Sequence, residues 1–341
     1  MATPDFQALL QTEDYAFLRQ NPRLGRRIML LGLSGSYGYG TNREGSDIDF
    51  RGVAMQLPSD LLGLTQFEQY TDGGTDTVIF GFNKLVRLLL ECNPNSCEIL
   101  GLPRDKYLIC SPLGEELLSK QRLFLSKRAI KAFGGYASAQ LRRLQNAIAR
   151  DSLPQSQREG HILRSVQNAI DDFNRRNPRA NQGGVRLYID RAETPDLETE
   201  IFVDADYRHL PLRDYNSVLE TLRNVVRDYD RVGKRNHKKD ENHLNKHARH
   251  LIRLLMTGAD ILTKQQIITC RTDDLPLLLK IRNGEYMRPD GTLDDAFFDI
   301  LTEYEQRFEE AARETTLPDE PDLNAVEEFV ERVNRQAIME E

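Results

Sequence analysis

The chain has 341 residues, 39% hydrophobic and 29% charged, with a net charge of −7, which excludes a disordered or fibrous polypeptide and describes a globular one. It contains no 18-residue apolar run, and residues 1–14 carry acids in place of a basic apolar leader, so neither a membrane span nor a signal peptide is predicted and a cytoplasmic location is expected. Cys92, Cys97, Cys110 and Cys270 form no C-x-x-C pair and read as reduced thiols, not as a disulfide or metal framework.

The charge is segregated along the chain. Residues 120–150 hold eight Lys/Arg and no acid, residues 231–250 seven Lys/Arg against Asp240 and Glu241, and residues 285–341 eighteen acids against five bases. Basic stretches of that density are what a polyanion binder needs; solvated helix faces account for either stretch equally well.

In chain order, residues 5–20 read as a short helix that Asn21-Pro22 ends. Residues 28–33, an apolar run bounded by Gly and Ser, read as a buried strand. Gly35-Ser36 opens a loop or short helix, and Ser46-Asp47-Ile48-Asp49-Phe50 reads as a second strand with Asp47 and Asp49 on one face. Adjacent carboxylates repel, and an oxygen-preferring dication such as Mg²⁺ relieves that repulsion. Gly35 lacks a Cβ, so its backbone can approach a phosphate chain, and Ser36 adds a hydroxyl donor. Singly, each piece is an ordinary turn or an acidic edge strand. In this order they describe a two-metal phosphoryl-transfer site.

Residues 76–80 read as a strand headed by Asp76, followed by a helix over 82–91 with Leu85, Leu88 and Leu89 on its core face. Lys84, near the start of that helix, is either a phosphate contact or an exposed lysine. Residues 96–101 read as a strand carrying Glu98, and 108–112 as an extension of the sheet. Helices are then predicted over 113–133, 136–150 and 161–175, with Gly134-Gly135 marking a close helix approach or a kink. Residues 177–215 read as a hairpin-like insertion with β-like runs at 185–189 and 200–203. Helices follow over 215–232, 241–262, 272–282, 293–313 and 322–338, with a linker at 317–321. On a wheel of the 241–262 helix, Leu244, Ala248, Leu251, Ile252 and Leu255 gather opposite His243, His247 and His250, which Lys246 and Arg253 flank. That face is a cationic surface for phosphates or an acceptor, a solvated face, or, less favourably along one straight helix, a zinc site.

Gly35-Ser36, the ten-residue gap and Asp47-Ile48-Asp49 resemble the signature of the DNA polymerase β-like nucleotidyltransferase superfamily. Lys84, Asn93-Pro94, Glu98-Ile99-Leu100, Ser111-Pro112, the stretch at 132–137, Lys246-His247, His250-Leu251 and Arg253-Leu254-Leu255 further resemble its subfamily of nucleotidyltransferases associated with RNA ligases and RNA repair. The resemblance implies an α/β (α+β) fold: a mixed sheet with flanking helices in a catalytic core (1–114), then a mostly helical acceptor-binding domain (115–316) and an acidic linker and terminal helix (317–341). It implies transfer of an NMP from an NTP, ATP included, to an acceptor hydroxyl, with two Mg²⁺ ions (Mn²⁺ as substitute) on Asp47, Asp49 and Asp76. Asp76 would also assist deprotonation of the acceptor, and Glu98 competes with it as third acid. Gly35, Ser36, Thr41, Lys84, His250 and Arg253 are the implied nucleotide-binding residues. Tyr37 stands where relatives often carry a base. The expected acceptor is an RNA end, tRNA-like by the same association. The alternatives are a protein side chain, small molecule or second nucleotide, or a catalytically silent nucleotide- or RNA-binding module.

Overall fold

The computed structural model describes residues 4–152, 184–191, 193, 199–206, 211–212, 214–216, 219–220, 222–223, 242–289 and 291–339. The chain divides into two compact units, Met1–Leu141 with Ala248–Glu285 and Asp295–Glu341, and Arg142–His247 with Tyr286–Asp294.

The first unit begins with α1 (Phe6–Leu9) and α2 (Phe17–Gln20), separated by a 3-10 turn at Glu13–Tyr15. The single helix expected over 5–20 is thus broken. Thr12 hydrogen-bonds back to the Leu9 carbonyl at 2.8 Å, the local competition with the helical ladder that Ser and Thr offer. Then come β1 (Ile28–Ser34), α3 (Gly35–Tyr39), β2 (Asp49–Ala54), α4 (Pro58–Leu62), β3 (Gln69–Asp72), β4 (Thr77–Gly81), α5 (Phe82–Leu90), α6 (Pro94–Leu100), β5 (Tyr107–Cys110), α7 (Pro112–Ser119) and α8 (Arg128–Ser152). The strands form one mixed sheet in the order β3-β4-β2-β1-β5, an α/β fold as expected. β2 is antiparallel to β1 and parallel to β4. At one end of the sheet Ser34 pairs with Asp49 and Phe50 with Thr77; at the other Ile28 pairs with Ala54 and Ala54 with Gly81. β1 lies inside the sheet, and Ile28–Leu33 is buried throughout, which explains its unbroken apolar run.

Residues 96–101, expected as a strand, are helical in α6. The Asn93 side chain accepts from the Asn95 amide at 3.1 Å and Pro94 takes the first helical position; Asn-Pro therefore stops one helix and starts the next. The helices expected over 113–133 and 136–150 are instead α7 and an unbroken α8 that runs through Gly134-Gly135. After the second unit's strands, β6 (Gly184–Arg191) and β7 (Thr199–Asp206), the helices are α9 (Asn242–Lys264), α10 (Leu275–Asn283), α11 (Asp295–Glu314) and α12 (Leu323–Met339). A Cβ on Gly134 would make an ordinary 3.6 Å contact with Phe308 of α11 and one on Gly135 would meet nothing within 4 Å, so that pair marks neither a kink nor a close approach; the close approach is at Gly258 of α9, where a Cβ would stand 2.6 Å from the Phe308 ring. Phe329 of α12 meets Phe82 of α5 edge-on at 5.7 Å. The C-terminal helix therefore packs in the same unit as the sheet, and positions 114 and 317 do not bound compact units.

In the second unit β6 and β7 pair antiparallel over their full length, and Tyr188 stacks on Phe202 at 6.0 Å. The two β-like runs expected inside 177–215 are this pair. The predicted helix over 161–175 and most of that over 215–232 lie outside the described residues. Among the described residues no helix is long and apolar enough to cross a membrane.

Candidate active site

Gly35, with φ 55°, turns the chain from β1 into α3. Asp49, the residue paired with Ser34, lays its carboxylate against the bare Cα of Gly35. A Cβ there would overlap Asp49 Oδ2 and stand 2.9 Å from its Cγ. Only glycine permits this approach, and with it a carboxylate reaches the start of the Gly35-Ser36 bend. Gly-Ser and the second acid of D-x-D, separated by twelve residues in sequence, are one structural feature.

Asp47 and Asp76 differ from expectation. β2 begins at Asp49, so Asp47 is exposed in the preceding loop and does not share a strand face with it. Asp76 does not head β4; it occupies left-handed backbone at φ 47° immediately before it, a region where Asp is tolerated better than most residues. Its carbonyl accepts from the Phe50 amide (3.4 Å) and from Arg51 Nη1 (2.6 Å). Arg51 thus clamps the turn through the main-chain oxygens of Phe50 and Asp76. By the Phe50–Thr77 register, Asp49 and Asp76 stand at the starts of neighbouring parallel strands. The donor chemistry of three carboxylates fits a hard, oxygen-preferring dication. Among the described residues, however, no three His, Cys, Asp or Glu gather closely enough to hold one.

Glu98 is not a competing metal ligand. It is buried on α6, where it accepts from Tyr39 Oη at 2.6 Å and forms an ion pair with Arg253 of α9, itself completely buried. The Arg253 guanidinium lies 3.7 Å from the Tyr39 ring centroid. Burial alone would push Arg253 down, but Glu98 and Tyr39 hold it above its ordinary value. The Tyr39 hydroxyl is pushed far up, first by burial, so it serves as a donor and not a base. Arg253 Nη2 also meets His250 Nδ1 at 2.8 Å, a contact in which arginine donates and the imidazole nitrogen accepts. Arg253, expected on a triphosphate, is therefore spent inside the protein, and one ring nitrogen of His250 with it. From Ala248 onward α9 is buried on nearly every side, not a solvated cationic face; the side chain of His243 lies outside the described residues.

Thr41 is fully buried, and its hydroxyl accepts from Arg249, an arginine that sequence reading missed. Its signal was present: Arg249 precedes His250 and is one turn from Arg253. Tyr37 packs into the core edge-on to Phe6 at 5.3 Å. Tyr37 packs against Phe6 and Tyr39 against the Arg253 guanidinium. Lys84 lies at the wrong end of the sheet. It follows Gly81, the partner of Ala54, and bonds Gln69 Oε1 at 3.0 Å with Glu68 3.8 Å away. At about 3.3 Å per strand residue, roughly 15 Å separates that end from Asp49.

Residues 9–166 match the RNA repair pathway DNA polymerase beta family, RlaP. That is the RNA-repair subfamily which Lys84, Asn93-Pro94, Glu98-Ile99-Leu100 and Ser111-Pro112 resemble, within the superfamily of the Gly35-Ser36 and Asp47-Ile48-Asp49 pattern, and the matched stretch contains Gly35, Ser36, Asp47, Asp49, Asp76 and Glu98. The match, to a polymerase beta family of the RNA repair pathway, covers somewhat less than half of the chain. It stops before α9, the helix that carries Arg249, His250 and Arg253. No curated protein and no solved structure matches the chain.

Proposed function

We propose that this protein is a divalent-metal-dependent nucleotidyltransferase that moves an NMP from an NTP to the terminal hydroxyl of an RNA. The observation that carries the reading is the seating of the Asp49 carboxylate on Gly35, which brings an acid to a bend whose backbone a phosphate chain can approach. The RlaP match over residues 9–166 supports the reaction class and the RNA-repair setting.

Asp47, Asp49 and Asp76 would hold the dication, Mg²⁺ by their all-oxygen chemistry, once drawn closer together than they stand in this structure; when bound it would supply charge neutralisation at the reacting phosphate and acidify the acceptor hydroxyl. The bend at Gly35 gives the nucleotide phosphates close approach to the backbone, and Ser36 offers them a hydroxyl donor. Asp76, exposed at its turn, takes the acceptor proton. The acceptor oxygen bonds to the α-phosphorus, the bond from that phosphorus to the bridging oxygen breaks, and pyrophosphate leaves with the electron pair. The network of Tyr39, Glu98 and Arg253 holds the far end of α3, so that positioning, a large share of catalysis in such reactions, comes from the core.

The test is incubation with each α-labelled NTP, Mg²⁺ or Mn²⁺, and RNA ending in a free hydroxyl. Label transferred to RNA supports the reading. Label transferred to protein or a small molecule changes the acceptor, and no transfer with any NTP removes the activity. Lys84→Ala is expected to alter the rate by no more than about twofold, the effect of an ordinary surface substitution, because Lys84 lies at the opposite end of the sheet. A loss of tenfold or more in the same assay would bring it back as a phosphate ligand.

A further inference from the structure

The charge around Arg249 does not close. Arg249 is 7% exposed. Its Nη1 donates to Thr41, its Nε has no acceptor, and among the described residues no carboxylate forms an ion pair with it. The one acid acting on it, Glu98, is already paired with Arg253, and Arg253 and Arg282 both repel it. Burial first, then Arg253, push the guanidinium down to about 10, which still leaves it charged at neutral pH. The Tyr39 ring, 5.5 Å away, returns about 0.5–2 kcal/mol, less than the several kcal/mol that desolvating an ion costs. An apolar side chain would fill the same place without that cost.

Arginine in such a place keeps spare N–H donors in a fork that matches phosphate oxygens. Thr41 uses its oxygen as acceptor for Arg249, so its own hydroxyl proton remains to be donated. Thr41 follows Gly40, the residue that caps α3, and α3 begins at Gly35; five helical residues span about 7.5 Å. Two residues further on, Arg43 reaches the Arg282 carbonyl and the Asn283 side chain, adding a second cation on the same loop.

We propose that Arg249 and Thr41, with Arg43 on the same loop, form a subsite for an oligophosphate chain, the β- and γ-phosphates of the NTP in the transferase reading on which this inference rests. A nucleic-acid backbone is the poorer fit, because its phosphates are met by exposed basic surface, whereas Arg249 and Thr41 are both buried.

The experiment titrates inorganic tripolyphosphate into the full-length protein, by calorimetry and by melting temperature, without divalent metal, using wild type, Arg249→Met and Thr41→Val. Wild type binds. Arg249→Met binds about 10- to 100-fold more weakly, the loss of a charge-assisted fork, while its ligand-free melting temperature is unchanged or higher. Thr41→Val, which keeps the shape and removes the hydroxyl, weakens binding several-fold and decides the matter if Arg249→Met does not fold. No binding to wild type, or equal binding to wild type and the variants, overturns the subsite. A parallel titration with single-stranded RNA bearing a 5′-hydroxyl separates the sources: loss confined to RNA overturns the proposal, and loss confined to tripolyphosphate supports it. No step here requires nucleotidyl transfer. Arg249-dependent tripolyphosphate binding without transfer keeps the subsite and removes the transferase, and transfer without such binding does the reverse.

Discussion

Replacing Asp49 with asparagine is expected to lower NMP transfer at least about 1,000-fold, with the protein still folded. Asparagine keeps the size of the side chain over Gly35, so the close contact at the bend survives. What goes is the charge. A metal at a phosphoryl-transfer centre contributes several kcal/mol of transition-state stabilisation, and about 4 kcal/mol corresponds to three decades in rate. Asparagine also keeps one side-chain oxygen as a hydrogen-bond acceptor, so the melting temperature is expected to change little. The measurement is the initial rate with α-labelled NTP and RNA in Mg²⁺, with thermal denaturation as the control for folding. A variant that is normally folded and keeps a tenth of the wild-type rate would show that the carboxylate does not hold a catalytic ion.

Glu98→Gln is expected to give the largest loss of stability, about 3–5 kcal/mol, the cost of leaving one member of a buried ion pair without its partner. Glu98 and Arg253 are almost wholly excluded from water, and glutamine retains an acceptor for Tyr39 while removing the negative charge that Arg253 faces. Denaturant titration reads the loss directly. Arg253→Met combined with Glu98→Gln is expected to be less destabilised than the sum of the two single variants, because the stranded charge is gone; contacting groups of this kind couple by about 0.5–3 kcal/mol. Additive losses would mean that the two side chains do not act as a pair. Because Tyr39 ends α3, Glu98→Gln also loosens the element that begins at Gly35, and any residual activity is expected with a raised KM for NTP.

Much of this protein was legible along the chain because the features concerned are local. The apolar run of β1, the Gly-Ser bend, α5 and the paired strands β6 and β7 each declare themselves in a few consecutive residues, by periodicity or by the backbone freedom of glycine; the alternation of Asp47-Ile48-Asp49 placed both acids on one strand face, whereas β2 begins only at Asp49. Asn93-Pro94 showed where a helix stops; that the same pair starts another is equally local and was missed.

The tertiary structure decided everything that depends on which groups meet. A helical wheel separates polar from apolar positions on α9, but it cannot say that Glu98 of α6 and Thr41 of the loop after α3 arrive to cover Arg253 and Arg249. Arginine shows the same letter whether it is solvated, neutralised or left buried with spare donors. Strand direction decided the place of Lys84: β4 runs parallel to β2, so whatever follows β4 lies at the end opposite Asp49. Charge compensation and strand polarity are relations between segments distant in sequence, and only the folded chain brings those segments together.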